Sequence, residues 1–250
     1  VIEEKPISSI QDFLNIQKQD RESYTEAVWY RGHANVEWSL IPGYYRLSTP
    51  PSETTLINKF KQNASMLIDR QPKESFDWLF LMQHYGVPTR LLDWSESPLV
   101  GLYFALEDME AHSNTDACLW RLRPAELNAV SRIIDPNEAG YIPSFEDDLI
   151  VSTYSPESLN GKIKTQSLPV ATIATRNNPR IQAQMGVFTV HHDYRIPIEK
   201  VSDGSYLMKF IIPAENRAKL REEIQSLGLG KFQMFPELSS VGETIKRGLL

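Results

Sequence analysis

Apolar residues recur along the chain at spacings that shift between a helical period and the short, unbroken runs of strands. Ile10, Phe13, Leu14 and Ile16 mark one side of a helix over 6–19, with Ser8 or Ser9 placed to cap it. The β-branched and aromatic stretch 27–32 (AVWYRG) predicts a short strand ended by Gly32, and 38–41 predicts a second extended piece before Pro42-Gly43. Pro50-Pro51 within the Ser/Thr-rich stretch 47–55 marks a loop. Leu56, Phe60, Ala64 and Leu67 predict a long helix over 53–70, and 74–84 a further helix that stops at Tyr85-Gly86. Residues 89–94 (TRLLDW) are too few and too apolar for a helix and predict a buried strand. Ser97 then caps a helix that opens at Pro98 and runs to about residue 110, with Leu99, Leu102, Tyr103 and Leu106 on its apolar face.

The second half predicts strands over 116–122, 168–174, 185–192 and 205–212, a helical turn at 124–128, and a helix over 214–227 before Gly228 and Gly230. Residues 135–167 are mixed and polar and predict loops. No repeat or linker divides the chain, so the pattern gives one α+β domain over 1–250. Hydrophobic residues at 41% and charged residues at 23% are those of an ordinary globular chain, and 10 Phe, 10 Tyr and 5 Trp can fill a sizeable core. No apolar run reaches the roughly 18 residues of a membrane span, and the opening residues do not read as a secretory signal. Cys118 is the single cysteine, so no intrachain disulfide forms; the expectation is a reducing, cytoplasmic setting.

Charge narrows the function. The net charge is −6, the pI is about 5.5, and no run of Lys/Arg exceeds two residues. Tight non-specific binding to nucleic acid needs a basic field and is disfavoured. A small pocket that reads one phosphorylated ligand through an arginine remains compatible.

Three stretches carry more polar-plus-glycine chemistry than a core needs. The first is Trp29-Tyr30-Arg31-Gly32-His33, with Trp38 and Arg46 downstream. An arginine beside a glycine at a strand end can aim a guanidinium into a cleft while the backbone stays close to a ligand, or it can pair with a structural acid. The second runs from Gln83 to Ser95 and gathers His84, Tyr85, Thr89, Arg90, Asp93, Trp94 and Ser95 around a Gly-Pro turn, where function tends to sit. Local pairing of Arg90 with Asp93 is the alternative there, and buttressing of a pocket is compatible with both. The third, Arg180 to Thr189, reads as a strand with Gln182 and Gln184 on one face.

These motifs resemble those of the FRG-domain family, named after an aromatic-Arg-Gly signature, here Tyr30-Arg31-Gly32. The resemblance continues through QHYGVPTRLLDWSESPLVGLYFAL at 83–106 and RIQAQMGVF at 180–188 to Met234-Phe235-Pro236-Glu237-Leu238, a core of about 7–245. The family pattern is similar to that of ADP-ribosyltransferases. That likeness implies split mixed β-sheets with flanking helices around an NAD-holding cleft. It also implies NAD as substrate, and an unidentified protein or nucleic acid as acceptor. It implies Arg31, Ser95 and Gln184 as catalytic residues, Gln184 standing where such folds keep a Glu. Tyr30, Gly32, His84, Thr89, Arg90, Asp93, Tyr103 and Gln182 would contact the nucleotide. A role in bacterial antiphage or toxin systems goes with the family. A glutamine brings no charge to an oxocarbenium-like sugar. Either the enzyme works without the Glu, or another acid such as Asp93 supplies the charge, or the pocket binds a nucleotide or ADP-ribose without cleaving it and acts through a partner.

Other chemistries lack their residues. There is no Gly-x-Ser-x-Gly elbow, no phosphate loop and no dinucleotide fingerprint. No metal is expected: the cysteines of a zinc site are missing, and His191-His192-Asp193 is read as a sheet-edge turn. Cys118, in an apolar strand, is expected to be inert.

Overall fold

The computed structural model describes residues 2–68, 71–107, 112, 114–146, 149–159, 167–176, 178–246 and 248. Seven strands, β1 (Glu3–Pro6), β2 (Trp29–His33), β3 (Leu91–Ser95), β4 (Ala117–Leu122), β5 (Val170–Thr172), β6 (Gly186–Val190) and β7 (Leu207–Ile212), form one mixed sheet. Its order is β1-β7-β4-β2-β3-β6-β5. β1 runs parallel to β7, and every other neighbouring pair is antiparallel. The helices are α1 (Ile10–Arg21), α2 (Gly43–Arg46), α3 (Glu53–Ala64), α4 (Ser75–His84), α5 (Pro98–Leu106), α6 (Pro124–Val130), α7 (Leu149–Ser152), α8 (Pro156–Leu159), α9 (Pro179–Ala183), α10 (Arg217–Ser226), α11 (Lys231–Met234) and α12 (Leu238–Lys246).

The expected α+β single domain is present, and the two expected sheets are two halves of one. β2 shares five register pairs with β4, and β3 shares five with β6, yet β2 and β3 meet only at Tyr30↔Ser95. Beyond that pair the halves part. One face of β2-β4-β7 is covered by α1, α5 and α10, where Phe13, Leu102, Leu106, Leu220 and Ile224 pack with Tyr30, Leu119 and Phe210. The opposite face buries Trp29, Trp94, Trp120, Leu127 and Leu207. α3 and α4 cover the second half through Ile57, Phe76, Trp78 and Met82 against Leu91, Phe188 and Val190.

Two glycines set the helix-to-sheet distance. A Cβ on Gly32 would lie 2.0 Å from the Gly101 carbonyl oxygen and 2.3 Å from the Ala105 nitrogen. A Cβ on Gly101 would lie 2.5 Å from Leu119 Cδ1. Strand β2 and helix α5 therefore touch backbone to backbone. Ser97 caps α5 and Pro98 opens it, as the sequence predicts.

Several expectations are corrected. The first residues form a strand, and the helix expected over 6–19 starts at Ile10 with Ser9 as its cap. Residues 38–41 form no strand; Trp38 instead closes a turn, its N–H donating to the Asn35 carbonyl at 3.2 Å. The helix expected over 53–70 ends at Ala64, followed by a 3-10 turn at Ser65–Leu67, and residues 69–70 lie outside the described residues. Residues 108–110 of the helix expected after Pro98 also lie outside them. The polar segment 135–167 holds two single-turn helices, α7 and α8, and its residues 147–148 and 160–166 are likewise outside. Residues 180–183 are helical and Gln184 is the turn residue that ends the helix: Asn178 Oδ1 accepts the Arg180 N–H at 2.8 Å, and Pro179 occupies the first turn. Gln182 and Gln184 therefore share no strand face.

Gly32→Ala forces α5 off the sheet by more than a flexible side chain can absorb, because both opposing atoms are backbone. The expected cost is about 3 kcal/mol or more, whereas Gly86→Ala, with φ +79° and no atom within 4 Å, should cost about 1 kcal/mol. Urea unfolding of both variants checks this: equal costs would mean that β2 and α5 are not in contact.

Candidate functional site

Where β2 and β3 part, the sheet opens into a cleft of about 340 Å³. It is bounded by β2 and the following loop on one side, β3 and α4 on another, and α5 and α9 at its far end. Alternation along β2 sends Tyr30 and Gly32 toward α5 and leaves Arg31 and His33 together on the other face.

Arg31 is held at two atoms. Its Nε donates to His33 Nε2 at 3.1 Å, and its Nη1 donates to the Asp93 carbonyl at 2.6 Å, across the gap between the strands. Nη1 also stands 4.0 Å from Asp93 Oδ2. The His33 Nδ1 faces the Trp38 carbonyl at 3.1 Å. Nδ1 therefore carries the proton, and Nε2 is the acceptor for Arg31. Burial, with the charges of Arg31 and Arg46, holds the imidazole well below its usual pKa, which matches this neutral tautomer. Burial also lowers the Arg31 guanidinium to about 10, leaving it charged at neutral pH.

The Asp93 carboxylate is positioned by a polar chain from α4. Thr89 Oγ1 donates to Gln83 Oε1, and Gln83 Nε2 donates to Asp93 Oδ1 at 2.5 Å. The Asp93 side chain is 58% exposed, the open end of that chain. At the far end, Ser95 Oγ donates to the Gln184 carbonyl at 2.7 Å and accepts the Ser97 N–H at 3.0 Å. Gln184 Nε2 donates to the Met234 carbonyl at 3.0 Å. Arg180 donates to the His84 carbonyl at 3.2 Å and lies over the Phe235 ring at 4.7 Å. His84 Nε2 is 3.5 Å from Glu237 Oε1, and burial lowers its pKa.

Of the residues expected at the site, the structure brings Tyr30, Arg31, Gly32, His84, Asp93, Ser95 and Gln184 to the cleft lining. Tyr30 spends its hydroxyl on Gln17 Oε1, at 2.8 Å in the core, and Gly32 is required by α5 rather than by a ligand. Thr89, Arg90, Tyr103 and Gln182 are not among the lining residues. Thr89 acts one step back, through Gln83. Arg90 does not pair with Asp93: its buried guanidinium binds Glu53 Oε2 at 2.7 Å, the Tyr154 carbonyl at 2.8 Å and the His191 carbonyl. Helix α3 and the turn after α7 are tied to the end of β6 by that one side chain. Tyr103 reaches Glu107 along its own helix at 3.4 Å, and Gln182 is exposed on α9.

The sequence reading placed His33, Gln83, Trp38, Arg46 and Arg180 in its three polar stretches but gave none of them a site role, and all of them line the cleft. His33 could have been found from its i+2 spacing to Arg31, which puts both on one strand face. Arg180 could not, because its reach into the cleft depends on α9 being a helix. The lining carries Arg31, Arg46 and Arg180 against Asp93 and Glu107, an excess of one positive charge in a chain of net charge −6. Among the described residues no group of three His, Cys, Asp or Glu could hold a metal. His191 Nε2 faces the Ile196 carbonyl at 3.0 Å, and His192 Nδ1 faces Asp193 at 2.5 Å. Burial raises the Cys118 thiol to about 12, in line with the inert thiol expected.

A neutral buried His33 makes stability depend on pH. Its folded pKa is depressed, so the unfolded chain binds more protons below the unfolded value of about 6.5. The stabilisation is complete above that value and is lost as pH falls below it. His33→Asn should flatten the decline of unfolding free energy below pH 6.5 by up to about 1.4 kcal/mol per pH unit, read by urea titration at pH 5, 6 and 7. An unchanged slope would mean that His33 protonates in the fold.

No curated protein and no solved structure is found to match the chain. Among the described residues no helix is long and apolar enough to cross a membrane. Residues 26–114 match the family model of the FRG domain. That stretch contains β2, β3 and α5, the three elements that meet at Tyr30↔Ser95 and Gly32–Gly101. The match places an FRG domain within the chain, over residues 26–114.

Proposed function

We propose that the cleft binds NAD and that the protein breaks the nicotinamide–ribose bond, passing ADP-ribose to a protein or nucleic-acid acceptor, or to water. The observation that carries this reading is the pair Arg31 and Asp93, a fixed guanidinium beside an accessible carboxylate at the opening of a cationic cleft. Arg31 is suited to a phosphate oxygen, because two of its nitrogens are already anchored and its fork loses little freedom on binding. Asp93 is suited to the charge that develops on the ribose as nicotinamide leaves. Gln184 is a poor substitute for a carboxylate: its amide is occupied by the Met234 carbonyl. Ser95, engaged with Gln184 and Ser97, supports the junction of β3, α5 and α9.

A second reading, a nucleotide or ADP-ribose sensor without turnover, is favoured by the same pair: an aspartate already facing Arg31 and Gln83 has part of its charge compensated. The two readings separate in one experiment. Protein incubated with NAD, with and without cell extract, is followed by mass spectrometry for nicotinamide release and labelled acceptors. Asp93→Asn should lower release by about 100-fold, and Arg31→Lys should weaken NAD binding by about tenfold. An NAD-induced rise in melting temperature without nicotinamide release selects the sensor; neither effect sinks both.

A further inference from the structure

The segment that follows β2, through α2, carries two cleft residues that the reading above leaves unused, Trp38 and Arg46. Arg46 is exposed at the rim, and its Nε donates to the Ile41 carbonyl at 3.0 Å. Among the described residues no carboxylate pairs with it, whereas Arg123 and Arg176 have Glu126 and Glu96. Burial lowers the pKa of Arg31 and of His33, and the charge of Arg46 on the same cleft lowers both further. Arg31 and Arg46 thus line one cleft with an imidazole that is neutral and cannot compensate them. Positive charges gathered at the opening of a cleft repel each other until an anion enters, and a phosphate can accept from both forks at once.

The same imidazole fixes the loop. Through Nε2 it holds Arg31, and through Nδ1 it holds the Trp38 backbone, so the arginine head and the tryptophan are tied to one ring. The Trp38 indole is 40% exposed. Rings meet it edge-to-face, His33 at 6.0 Å and 64° and His112 at 5.0 Å and 90°. An exposed, positioned indole on the same cleft as two guanidinium groups has the composition of a nucleotide site, in which a base stacks and the phosphate is held by charge.

We propose that Arg31 and Arg46 form one phosphate subsite and that Trp38 is the platform on which the base of the same nucleotide stacks. This rests on reading the cleft as a nucleotide site but requires no cleavage of NAD. It assigns the segment of residues 34–46, a loop and helix α2, to recognition of a phosphorylated nucleoside, and it makes the phosphate and base contributions separable.

Isothermal titration of the full chain with AMP, adenosine and inorganic pyrophosphate tests it. The unsubstituted protein should bind AMP more tightly than adenosine. Arg46→Gln should weaken AMP and pyrophosphate by about 10–100-fold and adenosine by less than twofold, with Arg46→Lys intermediate. Trp38→Ala should weaken AMP and adenosine by about tenfold and leave pyrophosphate unchanged. The proposal is overturned if Arg46→Gln leaves AMP binding intact, if Trp38→Ala weakens pyrophosphate as much as AMP, or if neither AMP nor pyrophosphate binds. Nicotinamide release is not read in this titration, so the expected pattern in a protein that leaves NAD intact would uphold the subsite while ending the transferase reading.

Discussion

The structure depends on the backbone contact between Gly32 and Gly101. Helix α5 lies on β2 without intervening side chains, and this close approach places the start of α5, at Ser97, directly after the single pair that joins the sheet halves. The aromatic-Arg-Gly signature then has a physical reading at each position. The aromatic Tyr30 is buried beneath the helix, the glycine admits the helix, and the arginine, on the opposite strand face, is delivered to the gap. A larger residue at the third position would move the helix, and with it the pair at Tyr30↔Ser95 that sets where the halves diverge.

Electrostatics inside the cleft run against those of the whole molecule. A chain of net charge −6 concentrates three arginines around a space that holds two acids. The strain is contained by neutral groups: His33 accepts from Arg31, and backbone carbonyls of Asp93, Ile41 and His84 accept from Arg31, Arg46 and Arg180. Carbonyl dipoles orient the guanidinium groups without cancelling their charge, so attraction for an anion is preserved in a partly water-excluded space. Arg90 shows the contrasting use. Its charge is cancelled by Glu53, and it serves the fold alone.

Much of the fold was legible because its signals were local. Ser97-Pro98 announced α5, and the apolar runs around Leu92, Leu119 and Phe210 announced their strands. The RIQAQ segment was misread because five residues satisfy either period; the deciding signal, Asn178-Pro179, lay just upstream. β1 was missed because EEKP is mostly charged, and only its pairing with the distant β7 makes it a strand. At the site, Arg31, Asp93, Ser95, His84 and Gln184 could be placed together from motif content. Arg90 could not be separated from them, because its partners lie 37, 64 and 101 residues away. Burial of a charged residue is decided by such long-range partners, which spacing does not reveal.

The position of β1 at the sheet edge also bears on the order in which the molecule can assemble. Glu3 pairs with Met208, so β1 has no template until the distant β7 has been translated, a delay on the order of ten seconds or more. β4 can pair with the earlier β2, but its second edge waits for β7, and most of the pairing of β3 waits for β6. Such sequence-distant pairings imply slow folding, in which closure of large loops precedes most of the stabilising contacts. In the interval, the β2–α5 packing is the one extensive strand–helix contact already complete within the first 106 residues. That contact needs none of the strands that follow it in the chain.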